Sequence, residues 1–249
     1  MSGLRKIKTF CLLIYYGICA IQCNRHAFFL DADETVKLIL KYKRSLIRLG
    51  DGEFNILNGK SVFYQDYSLQ LKDDLKKVID EYLENKSNYI LCMPGIFLNI
   101  NIFKLTFKQF KSWAFSRYYF KHHYDLDIEY GDSFVFSKSN ERIYELLWKD
   151  NSIKKIVFVH NNVNYANLFQ EKYSKEVNFI KVNDKNSYND IEDIEYNIIS
   201  SIPENDKDNY MILISSGPSA KIIISHLSQI GYWCIDAGHC WDDPLKLRE

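Results

Sequence analysis

No two cysteines in this sequence are spaced Cys-x-x-Cys. Of Cys11, Cys19, Cys23, Cys92, Cys234 and Cys240, three lie in one N-terminal apolar run and two others in or beside apolar segments of strand length. That placement fits reduced, mostly buried thiols better than a disulfide framework or a cysteine-based zinc site. Neither sign of charge is in excess, since 32 Lys and Arg balance 32 Asp and Glu. A basic stripe of the kind that marks a nucleic-acid binder is therefore not expected, and nucleic acid is excluded as a partner. Phosphate ligands stay open, because backbone amides at a helix start hold them without net charge. No internal repeat, low-complexity tract or linker divides the 249 residues, of which 47% are hydrophobic and 26% charged. The composition is globular and the length suits one large domain with a full core.

The apolar run "TFCLLIYYGICAIQC" from Thr9 to Cys23 carries no charge and is shorter than the roughly 20 residues of a bilayer span. Arg5, Lys6 and Lys8 precede it as in a signal peptide, but no small-x-small cleavage site follows. Residues 1–30 thus form an apolar N-terminal segment with three readings. In order, these are a packed or partner-facing helix, a peripheral membrane contact with its basic end on lipid headgroups, and a secretion signal. Residues 31–249 form the main domain, expected in the cytoplasm or, through that segment, at the inner face of the cell membrane.

Along the main domain, "DADETVKLILKYKRS" predicts a helix capped by Asp31 or Asp33, and "SLQLKDDLKKVIDEYLENK" an amphipathic helix capped by Ser68. The aromatic, basic segment from Leu98 to Tyr124 predicts one helix. Six apolar runs have strand length: "SLIRLG", "NYILCMPG", "KKIVFVH", "VNFIKV", "YMILISSG" and "YWCIDAG". Helical stretches alternate with them, the mark of a mostly parallel sheet covered on both faces. The fold class is α/β, a single Rossmann-like domain of about six strands.

Ligands of open parallel sheets bind beyond the carboxyl ends of the strands. Three polar clusters sit at such ends. In "SLIRLGDGEFNILNG", Asp51 and Glu53 flank Gly52 just after a strand. Like charges this close need a cation, and two carboxylates here can either bind Mg²⁺ or Mn²⁺ or simply cap the next helix. In "SSGPSA", Pro218 suits the first helical position and leaves free amides around Ser216, Gly217 and Ser219, which suit a phosphate or merely a tight turn. "DAGHCWDD", from Asp236 to Asp243, adds Asp236 and His239, a carboxylate and an imidazole that can complete a metal shell.

Taken together, "RLGDGEF", "YQDYSLQLKDDLKKVI", "ILCMPGIF" and "LISSGPSAKIIISHLSQIGYWCIDAGH" resemble the bacterial GT-D-type glycosyltransferases, in the family's order and at suitable spacing from about Lys43 to His239. The resemblance implies a Rossmann-like fold, a nucleotide-diphosphate sugar donor, usually UDP-linked, and a divalent metal, Mn²⁺ or Mg²⁺, held through the D-x-E. By it, Asp51 and Glu53 are the catalytic and metal-facing acids and His239 a further metal ligand. Gly52, Ser216, Gly217, Pro218, Ser219 and Asp236 line the donor site, and Arg48 anchors an acid or phosphate. Two segments depart from the family pattern. "HNNVNYANLF" stands where a Ser-Arg-type pair is expected, and "YGDSFVFSKSN" carries Lys138 where an Arg is expected.

The implied activity is sugar transfer to a surface glycan, glycolipid or glycoprotein acceptor, with Glu53 or Asp132 as the base of an inverting route. Two other functions use the same features. One is a metal-dependent phosphohydrolase or nucleotidyltransferase, and the other is a non-catalytic nucleotide-binding subunit of a glycan-assembly complex.

Overall fold

A computed structural model describes the backbone of residues 2–241 and the side chains of residues 7–241. Asp242 and Asp243 of the last polar cluster, and the side chains of Arg5 and Lys6, lie outside the described residues. Among those described, eight strands form one sheet: β1 Phe28–Phe29, β2 Ser45–Arg48, β3 Tyr89–Met93, β4 Glu129–Asp132, β5 Lys155–His160, β6 Glu176–Lys181, β7 Tyr210–Ile214 and β8 Cys234–Asp236. Their order is β1-β4-β3-β2-β8-β7-β5-β6, and every neighbouring pair is parallel. The α/β reading holds, and the strand count rises from six to eight. β4 consists of Glu129, Tyr130, Gly131 and Asp132, with no apolar run to announce it; pairing of Gly131 with Cys92 of β3 makes it a strand. β1 then borrows the free edge of β4.

Successive strand residues alternate between two cores. Ile47, Leu91, Val157, Val159, Ile212 and Ile214 face one, while Leu46, Ile90, Ile156, Phe158, Met211 and Leu213 face the other. On the first face lie α3 Asp51–Leu57, α4 Leu69–Leu83, α6 Phe107–His123, α9 Ile191–Ser200 and α10 Pro218–Gln229. On the second lie α2 Ala32–Tyr42, α7 Glu141–Trp148 and α8 Val163–Tyr173. Burial on both faces explains why the strands read as unbroken apolar runs.

Capping fixes the helix starts. Asp31 accepts from Glu34 N at 2.8 Å while Glu34 accepts from Asp31 N at 2.9 Å, and Ser68 Oγ accepts from Leu71 N at 3.1 Å. The single helix expected from Leu98 to Tyr124 is in fact three pieces: α5 Gly95–Asn99, one 3₁₀ turn at Ile102–Lys104, and α6. The breaks fall where Asn101 accepts from Phe103 N and where Thr106 and Gln109 cap α6 reciprocally.

The N-terminal segment begins as α1 Ser2–Cys19, which packs on α6, and the chain beyond it sends Cys23 and Ala27 into the first core. Fully buried Arg117 of α6 donates to the carbonyls of Ala20, Ile21, Phe97 and Ile100, joining α1 and α5 to α6. All six cysteines are free thiols; Cys11 is exposed, Cys19 half-buried and the other four buried.

Candidate active site

The chain runs outward from β2 through β3 to β4, then crosses to the other half of the sheet and returns through β7 and β8 to lie beside β2. A cleft of about 1070 Å³ opens beyond the carboxyl ends of the strands around this reversal, the place where α/β sheets bind ligands. Its walls include Arg48 to Glu53 after β2, Ser215 to Gly217 after β7, and Gly238 to Cys240 after β8.

Asp51 and Glu53 occupy the first turn of α3, and their side chains part company. Glu53 is 5% exposed; its Oε2 accepts from Gly50 N at 2.8 Å and its Oε1 lies 3.1 Å from Lys221 Nζ. The same ammonium lies 3.0 Å from Asp236 Oδ2 and donates to Gly217 O at 3.1 Å. Burial works against a charge on Lys221, but Asp236 and Glu53 more than offset it and raise its pKa. Asp51 opens to the cleft. Burial, and then the charge of Glu53, push its carboxyl up from the usual carboxylate value.

Asp236 is 1% exposed and forms no part of the cleft wall. It sits behind the wall, accepting from Arg48 N at 3.0 Å and pairing with Arg48 Nη2 at 3.6 Å. Arg48 also donates Nε to Asp236 O at 2.8 Å and Nη1 to Ser133 O at 3.2 Å, with its guanidinium 5.1 Å from the centre of the Phe136 ring. This clamp presents a fixed guanidinium at the cleft.

The Ser215–Gly217 turn also divides. Ser216 and Gly217 line the cleft, whereas Pro218 and Ser219 do not. Ser219 is fully buried and braces the turn from behind, donating to Ser216 O at 2.8 Å beside Ser187 Oγ at 2.9 Å. Gly217 has φ +62°, and a Cβ there would meet the Tyr64 ring at 2.9 Å. A Cβ on Gly52 would meet the Tyr64 hydroxyl at the same distance. One tyrosine thus roofs both glycine turns, and burial, then Glu53, push its phenol pKa up to about 12.

Exposed His239 lines the cleft with His160, Asn161 and Asn162. Asn162 caps α8 by accepting from Asn164 N at 3.0 Å. Asp132 lies outside the cleft lining, its Oδ1 accepting from Phe134 N at 2.8 Å, and Lys138 lies outside it as well. Lys221 and Tyr64 are the residues that sequence reasoning missed. Lys221 stands one turn inside α10, and its spacing from Gly217 and Ser219 is the signal in the sequence that points to it.

A divalent cation is what the D-x-E resemblance implies. Asp51 fits one, being partly desolvated, open to the cleft and destabilised by a neighbouring negative charge. Glu53 already serves Lys221 and Gly50, and among the described residues no three His, Cys, Asp or Glu groups gather into a complete shell. Mg²⁺ and Mn²⁺ at such sites use one or two carboxylates and complete their coordination with substrate phosphate and water.

Comparison with known proteins supports the fold and the family. The chain is 27% identical over 227 residues to Glycosyltransferase GlyD of Streptococcus pneumoniae serotype 4, covering 83% of this chain and 26% of that protein. It is 22% identical over 235 residues to Probable glycosyl transferase Gly of Streptococcus gordonii, covering 87% and 32%. The chain therefore spans about a quarter to a third of the length of these curated relatives. A solved structure of domain of unknown function 1792, described as having a distinct glycosyltransferase fold, superposes with TM-score 0.71 at 22% identity, covering 92% of this chain and 83% of that one. A glycosyltransferase of the same domain type from Streptococcus sanguinis superposes with TM-score 0.70 at 20% identity, covering 88% and 83%. The model of the glycosyltransferase GT-D fold matches residues 46–243, and the chain belongs to that family.

Proposed function

We propose that this chain moves a sugar from a nucleoside-diphosphate donor, UDP-linked, to a hydroxyl of a glycan, glycolipid or glycoprotein acceptor. The carrying observation is that Asp51, Lys221, Arg48 and the Ser215–Gly217 turn open on one cleft at the reversal of the sheet. A divalent cation held by Asp51, with Glu53 and His239 beside it, would neutralise the diphosphate leaving group.

The chain's own residues carry the rest. Lys221 and Arg48 present fixed positive charge where the leaving group becomes more negative, and a preorganised charge needs no reorganisation as the bond breaks. Asp236 holds both cations in place from behind. Gly217 makes room for the Tyr64 ring, whose roof keeps water from the turn, while Ser215 to Gly217 still open on the cleft at the start of α10. Trp113, Phe134 and Phe136 on the β4 side of the cleft offer apolar ring surface for an acceptor sugar.

The test is nucleoside-diphosphate release from a panel of nucleotide sugars, with and without Mn²⁺, in the presence of lysate-derived acceptors. Release by wild type that needs metal and is lost in Asp51→Asn supports the reading and identifies the donor. Nucleotide binding without release from any donor would replace it with a non-catalytic nucleotide-binding subunit.

A further inference from the structure

Acidic residues are unevenly spread along this neutral chain. From Met1 to Leu30 and from Asn85 to Tyr124 there is no Asp or Glu, yet these two segments carry ten Lys and Arg. The remaining 22 Lys and Arg face all 32 acids. The fold brings the acid-free segments together, because α1 packs on α6: Tyr16 lies 5.3 Å from Phe115 and 5.0 Å from Tyr118, and Lys121 Nζ donates to Cys19 O at 2.6 Å.

These contacts hold the C-terminal part of α1. Every residue from Ile7 to Leu12 is exposed, Ile7 at 63% and Phe10 at 53%, so this stretch shows apolar groups to solvent on all its sides. Ile14, Tyr15, Ile18 and Ile21 extend the exposed apolar surface toward α6. There Phe103 and Phe107 stand out at 82% and 67%, next in chain or one turn away from the Ile102 and Phe110 side chains that Gly17 meets. Exposed Lys8, Lys104, Lys108 and Lys111 accompany them.

We infer that α1 and the N-terminal half of α6 form a docking face for an anionic lipid bilayer. A helix that is apolar all round requires an apolar medium around it, and basic residues beside it match anionic headgroups. No helix among the described residues is long and apolar enough to cross a membrane, so the contact is with the surface layer. A second copy of the chain is the poorer occupant, since an isologous contact would press two acid-free basic faces together. The face is independent of the transfer chemistry, though α6 joins the two: Trp113, two turns beyond Phe107, lines the cleft.

The experiment is co-sedimentation of the full chain with vesicles of phosphatidylcholine alone or with 30% phosphatidylglycerol as the probe, at low and high salt. The chain should pellet with the anionic vesicles and be released by salt. The triple variant K104E/K108E/K111E should weaken that binding by at least about 100-fold. F10D/L12D should abolish it while leaving nucleoside-diphosphate release in solution unchanged; both positions are exposed, so loss of binding is not loss of folding. Nucleotide release thus reports separately on the transfer reading. No pelleting, or equal pelleting with both vesicle types unaffected by the lysine changes, overturns the proposal. A dimer in solution that F10D/L12D dissolves, with no vesicle binding, overturns it in favour of self-association.

Discussion

Lys221 Nζ lies 3.1 Å from Glu53 Oε1, with both side chains 7% exposed, so one acid of the D-x-E pair is neutralised by the protein itself. The other, Asp51, is left facing the cleft. Two carboxylates separated by one glycine therefore have different environments and different work.

Removing the shared cation leaves Glu53 as a buried charge with no cation and Asp236 with Arg48 alone. Lys221→Met should lower stability by about 3–5 kcal/mol, read from the midpoint of urea unfolding. Combining it with Glu53→Gln should recover most of that loss, because the Asp236–Arg48 pair that remains is balanced. Recovery without activity would separate the structural part of Lys221 from its part in the reaction.

The raised Asp51 pKa fixes a sign. In protein freed of divalent metal with EDTA, Asp51 takes up its proton at higher pH folded than unfolded, so its stability contribution is present at low pH and lost as pH rises through the folded pKa. Asp51→Asn should therefore be more stable than wild type at pH 7, and the gap should close as pH falls into the carboxylate range. Thermal unfolding of both proteins from pH 4 to 8 checks this.

Two glycines with positive φ make a matched pair. At Gly231, φ is +87° and a Cβ would meet nothing within 4 Å, so Gly231→Ala should cost only the backbone term, about 1 kcal/mol. At Gly217 the Tyr64 ring adds a clash at 2.9 Å. Gly217→Ala should cost about 2–3 kcal/mol and weaken nucleotide binding by calorimetry, whereas Gly231→Ala should bind normally.

Arg117 is a buried cation whose guanidinium donates to four carbonyls at the ends of α1 and α5, and among the described residues its Nε finds no partner. Burial lowers its pKa. Arg117→Met should cost about 2–4 kcal/mol by leaving those carbonyls unpaired. Hydrogen exchange should show the loss first in α1, with the amides of β2, β3 and β7 still protected.

Much of the architecture was legible in the sequence because its causes are local. Apolar runs bounded by turn residues marked β2, β3, β5, β6, β7 and β8, and Asp31 and Ser68 announced their helices, since a cap bonds only the next turn. β1 and β4 were illegible, since a short segment containing Gly131 becomes a strand only when β3 offers it an edge. The split before α6 was missed where Asn101 and Thr106 restart the chain inside an aromatic pattern.

At the site, the sequence by itself determined which residue types stand at the carboxyl ends of β2, β7 and β8, because strand ends and helix starts are set by neighbours in the chain. Only the tertiary structure decided their division of labour. It turned Glu53 and Asp236 onto Lys221, buried Ser219 behind the turn, opened Asp51 to the cleft and set Tyr64 across Gly52 and Gly217. Those outcomes depend on distances between residues far apart in the chain, and the electrostatics of a buried charge follow from such distances.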